Sequence, residues 1–116
     1  QPSKKVVAYY FYGNVRCSTC RSIQAYATEA IENGFASELK EGTLEWRPIN
    51  IDEPENAHFI EQFNLTIRAV IVERYENGKQ VEWKDLKDIW NLVRDKEAFI
   101  DYIRSEVSEY LNGGAE

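Results

Sequence analysis

Seven consecutive residues near the start of the chain, Val6-Val7-Ala8-Tyr9-Tyr10-Phe11-Tyr12, are all apolar or aromatic. A run so short and continuous has no polar face to turn toward water, so it suits a strand buried on both sides. Such a strand needs one layer of structure above it and another below. Gly13-Asn14 ends the run, and from Ser18 the apolar spacing changes. Cys20, Ile23, Ala27, Ala30 and Ile31 now fall on a single helical stripe. This helix is expected to continue to about Leu39, with Gly42 as its stop.

The remaining elements follow from the same two periods. Leu44 to Ile51 reads as a second strand, and Asp52-Glu53-Pro54-Glu55 as a helix start with an acidic cap and an early proline. A short helix through Ala57, Ile60 and Phe63 is expected next. Ala69 to Tyr75 reads as a third strand, and Asn77-Gly78 supplies the positive φ values of a tight hairpin. Val81 and Trp83 then mark a fourth, antiparallel strand. Asp95 caps a closing helix whose apolar positions are Phe99, Ile100, Ile103, Val107 and Leu111. The order β-α-β-α-β-β-α predicts a three-layer α/β domain over residues 5–112, a mixed four-stranded sheet with helices on both faces.

Composition removes several classes of function. At 116 residues and 43% hydrophobic, the chain has material for one domain with a real core. Its longest apolar run is far short of the roughly 18 residues that span a membrane. A net charge of -6 argues against general nucleic-acid binding, which needs cations to displace counterions from phosphate. The charge is also unevenly spread. Residues 1–27 carry Lys4, Lys5, Arg16 and Arg21 and no carboxylate, while the twenty acidic residues all lie beyond them. The opening Gln1-Pro2-Ser3 lacks a Met, so removal of an upstream segment is expected. Export, for instance to a periplasm, is the preferred compartment, with the cytoplasm as the alternative.

Cys17-Ser18-Thr19-Cys20 stands where the first strand gives way to the first helix. A helix start offers unpaired N–H groups and the positive end of the helix dipole, which favour a thiolate over a thiol. Arg16 and Arg21 flank the pair and act in the same direction. Cys20 lies about one turn further in, more shielded but within reach of Cys17. An exposed nucleophile followed by a resolving thiol is what dithiol exchange requires. No GxGxxG or phosphate loop is present, so neither a nicotinamide nor a flavin cofactor is implied.

These features resemble the thioredoxin-like superfamily over Lys5 to Leu111: strand, CxxC and helix in that placement, the element order, and the Asn77-Gly78 hairpin. A closer resemblance is to bacterial proteins described as a nitrophenyl compound nitroreductase subunit of the ArsF type. It rests on the aromatic strand with Gly13, the CxxC, Trp46, Asp52-Glu53-Pro54-Glu55-Asn56 and Gly78-Lys79-Gln80-Val81. The superfamily resemblance implies a thiol–disulfide oxidoreductase, or a dithiol electron relay to a dedicated protein partner. Cys17 would attack and Cys20 would resolve. Tyr12, Gly13 and Asn14 would form a partner-binding rim with Arg68, Ala69 and Val70, which open the loop and strand that face a CxxC in such folds.

Two departures narrow this expectation. Thioredoxins usually carry a buried carboxylate six residues before the first cysteine, where this chain has Phe11. They also carry a cis-proline opposite the disulfide, where this chain has Arg68-Ala69-Val70-Ile71; its prolines are Pro2, Pro48 and Pro54. Both departures favour a narrow partner range over general disulfide reduction. The alternative function is a binding module, with the CxxC as a structural disulfide or as half of a metal site. In the metal version, Cys17 and Cys20 would be joined by His58, the sole histidine, and by a further ligand.

Overall fold

A computed structural model of the protein describes residues 4–15, 17–65 and 68–112. Strand β1 is Lys4–Tyr12, followed by helices α1, Ser18–Gly34, and α2, Ala36–Glu41. Strand β2, Leu44–Asn50, leads into a 3-10 turn, Pro54–Asn56, and a short helix α3, His58–Gln62. Strands β3, Ala69–Glu76, and β4, Lys79–Asp85, form the hairpin, and helices α4, Ile89–Leu92, and α5, Lys96–Leu111, close the chain. The sheet order is β2-β1-β3-β4. β1 runs parallel to β2 and antiparallel to β3, which is antiparallel to β4. This is the mixed four-stranded sheet the sequence predicts.

The all-apolar first strand lies at the sheet's centre, and successive side chains divide between two cores. Val6, Ala8 and Tyr10 meet Ile23, Ala27, Ile31, Phe99, Ile103 and Val107 from α1 and α5. Val7, Tyr9 and Phe11 meet Ile49, Phe59, Phe63 and Leu65 on the other face. Pro48 stands opposite Tyr10 on β2, an edge strand, where the missing N–H costs no ladder bond on the outer side. Asn77 and Gly78 take φ values of 55° and 83°, as the tight hairpin requires. Asp95 caps α5 by accepting the Ala98 N–H at 3.2 Å.

Three local expectations are corrected. The first helix does not run unbroken to Leu39, because Phe35 leaves helical geometry (φ −135°, ψ 37°) and buries its ring in the α1/α5 core. Gly42 does end the second helix, at φ 85°. The segment after β2 is a 3-10 turn followed by five helical residues rather than one helix. The fourth helix lies in a stretch for which the sequence predicts no element.

Candidate functional site

β1 carries the chain to the disulfide, and side chains from two other segments, the end of β2 and the residues before β3, hold the connection in place. At the strand's end the Tyr12 carbonyl accepts the Ile51 N–H at 2.8 Å. The Asn14 N–H donates to Oδ2 of Asp52 at 2.7 Å, and Nδ2 of Asn50 donates to Oδ1 of Asn14 at 2.8 Å. Oδ1 of Asn50 accepts the Asp52 N–H at 2.9 Å, closing a small polar ring around the loop. Gly13 is buried beneath it, and a Cβ there would stand 2.7 Å from Oδ2 of Asp52. Arg68 donates through Nη2 to the Val15 carbonyl, so the segment before β3 grips the loop from its other side. The Nε of Arg68 is buried without a hydrogen-bond partner among the described residues.

Cys17 is the N-cap of α1, with extended backbone (φ −99°, ψ 167°), and its Sγ accepts the Cys20 N–H at 3.1 Å. Its carbonyl accepts the Arg21 N–H at 3.0 Å, the first regular bond of the helix. The two cysteines are joined as a disulfide with Cα atoms 5.0 Å apart. Cys17 is exposed, whereas Cys20 is only 3% exposed. Tyr10 donates its hydroxyl to the Cys20 carbonyl at 3.0 Å, tying the first turn of α1 back to β1. One sulfur is therefore presented at a helix start while the other is shielded behind it.

Among the other expected site residues, Tyr12 is half-buried, Asn14 is exposed and Arg21 is exposed. Arg16 lies outside the described residues. Ala69 and Val70 are 4% and 1% exposed, paired with Phe11 and Tyr10 of β1. Their side chains face the two cores, so a partner-facing role for them does not rest on side-chain contact. His58 sits on α3 with Nδ1 3.1 Å from the Glu55 carbonyl oxygen and its ring 4.1 Å from that of Phe59. The described residues bring no group of three His, Cys, Asp or Glu together, so His58 does not join the two cysteines in such a cluster.

Asp52 and Glu73 are what the sequence reading missed. Asp52 reads locally as a helix cap, yet its carboxylate reaches back to the loop before the cysteines. Glu73 interrupts an apolar strand and is fully buried, accepting the Tyr9 hydroxyl at 2.8 Å and a bond from Nε2 of Gln80. Burial, reinforced by the Glu73 carboxylate, holds the Tyr9 phenol far above its ordinary value. The same causes push the Tyr75 phenol up.

The arrangement is that of a thioredoxin fold. Human ERp44, form I, is similar over 92% of this chain and 26% of that one, at a TM-score of 0.57 and 17% identity. Its zinc-bound form is similar over 90% of this chain and 27% of that one, at 0.55 and 16%. The first two thioredoxin domains of Naumovozyma dairenensis Eps1p are similar over 95% of this chain and 38% of that one, at 0.54 and 17%. The chain thus spans about a quarter of the ERp44 chain it matches. No protein-family model and no curated protein matches the sequence, so no relative by sequence supports the likeness to the ArsF-type subunit.

Proposed function

We propose that the protein is a thiol–disulfide oxidoreductase, or dithiol relay, that cycles Cys17 and Cys20 between disulfide and dithiol with a protein partner. The observation that carries this reading is the asymmetry of the pair: Cys17 is an exposed N-cap whose sulfur accepts the Cys20 N–H, and Cys20 is 3% exposed. A partner thiolate would attack Sγ of Cys17, breaking the S–S bond and releasing Cys20 as a thiolate that takes up a proton. A second partner thiol would then attack the partner's sulfur, leaving the partner oxidised and Cys17 reduced. In the reverse direction the Cys17 thiolate attacks a partner disulfide and Cys20 resolves the adduct.

The midpoint potential of the couple, taken with trapping by single mutants, tests the proposal. Expected is a potential above about -300 mV, with Cys20→Ser accumulating mixed disulfides and Cys17→Ser forming none. A potential below that level, with no trapped adduct, would make the disulfide a structural brace.

A further inference from the structure

Beside the dipeptide that separates the two cysteines lies a cleft of about 260 Å³. One wall is Ser18, Thr19 and Ser22 of α1; the other is Trp90 of α4 with Val93 and Arg94 just beyond it. The first wall offers three hydroxyls and the second a guanidinium, and no carboxylate lines the space. Arg94 is exposed and makes no ion pair or hydrogen bond among the described residues. Of the acidic groups nearby in the chain, Asp95 is occupied in capping α5, while Asp88 at the start of α4 and Glu97 in the first turn of α5 are exposed and form no ion pair with Arg94 among the described residues. A free cation facing hydroxyls favours an anion, and the Trp90 and Val93 side chains offer apolar surface to a short stem.

We infer that this cleft receives the carboxylate of a small acidic thiol, placing the thiol to react with the Cys17–Cys20 disulfide. The inference rests on the exchange reading above and names one class of reductant for it. One molecule of the thiol, as thiolate, attacks Sγ of Cys17; the S–S bond breaks and Cys20 leaves as a thiolate that is protonated. A second molecule attacks the sulfur of the first, releasing Cys17 as a thiolate and the small thiol as its own disulfide. Two thiols are oxidised and one protein disulfide is reduced, so electrons and protons balance.

N-acetylcysteine and N-acetylcysteine amide differ by one carboxylate and serve as probes. Each rate constant for reduction of the intact protein is normalised to that thiol's rate with a free small disulfide. The normalised preference for the acid should be about two- to fivefold, the range of an exposed ion pair. It should fall toward one in Arg94→Gln, invert in Arg94→Glu, and fade as salt is raised. An unchanged circular dichroism spectrum and melting temperature in Arg94→Gln control for folding, and normalising to the amide's rate in the same variant removes any general effect of the lost charge on thiolate attack. Equal preference in wild type and Arg94→Gln would overturn the cleft assignment while leaving exchange intact. If both thiols failed to reduce the disulfide, the cleft assignment would fall, while the midpoint potential and the trapping by single mutants decide the exchange reading independently.

Discussion

The backbone N–H of Cys20 points at Sγ of Cys17 across 3.1 Å, so the first sulfur occupies the place of a helix-capping oxygen. When the disulfide opens, that donor and the adjacent helix start remain to stabilise negative charge on Cys17. Cys20 is buried against the core and gains no such advantage. The reduced Cys20→Ser protein should therefore react with iodoacetamide at pH values where a free thiol, titrating near 8.5, is still protonated. Cys17→Ser should react slowly throughout the neutral range. Alkylation rate against pH on both variants is the measurement; equal profiles would remove the assigned division of labour.

Asp52 and Gly13 form the next testable pair. The carboxylate holds the Asn14 N–H at 2.7 Å, and its Oδ2 would lie 2.7 Å from a Cβ at position 13. Gly13→Ala must therefore displace the carboxylate from its bond, and because Asp52 is an exposed side chain free to swing away the cost should be about 1 kcal/mol, that of the lost contact. Asp52→Ala alone should cost about 1 kcal/mol, since the group is exposed and solvent replaces part of the bond. The double variant should cost about 1 kcal/mol less than the two added, because the second change removes what the first collides with. Urea denaturation of the four proteins gives the coupling, and strict additivity would show that the contact is not felt.

The two elements that place the cysteines were readable because their signals are local. Val6 to Tyr12 lacks a polar face, and the stripe from Cys20 to Ile31 keeps helical spacing, so the strand, the helix and the CxxC between them follow from neighbouring residues. Asn77-Gly78 and Asp95 are likewise conformational signals within a few positions. What was not legible depends on partners distant in sequence. Asp52 carries good helix-start chemistry, and nothing nearby reveals that its carboxylate meets Asn14 across 38 positions. Leu39 continues the apolar spacing past Phe35, so the break between α1 and α2 appears only when the Phe35 ring is seen in the core. Trp90 takes its meaning from α1, and no period in residues 86–95 announces a helix there.

Glu73 had a visible signal, a carboxylate within an apolar strand, and its chemistry is checkable. It is fully buried and accepts the Tyr9 hydroxyl at 2.8 Å. Tyr9→Phe deprives a buried carboxylate of a donor and should destabilise by about 1–3 kcal/mol. Replacing both, as Tyr9→Phe with Glu73→Leu, removes donor and acceptor together and should cost less than the sum of the single changes. Thermal or denaturant unfolding of the set decides it. Tyr9→Phe without measurable cost would show the bond to be dispensable.

Tyr110 ties stability to alkaline pH. It is 3% exposed on α5, and burial, then the nearby Glu82 carboxylate, pushes its phenol up to about 12. An unfolded tyrosine titrates near 10, so between those values the folded chain holds a proton that the unfolded chain has released. The stabilisation is whole below about pH 10 and declines as pH rises toward the folded value. Tyr9, shifted further upward by burial and Glu73, acts in the same direction. Wild-type stability should thus fall from pH 10 upward, and Tyr110→Phe should make that fall shallower by close to one proton's worth of slope. Denaturant unfolding at stepped pH, with tyrosinate absorbance as the titration readout, measures both quantities. Identical slopes in the two proteins would mean that Tyr110 ionises as freely in the fold as in the open chain.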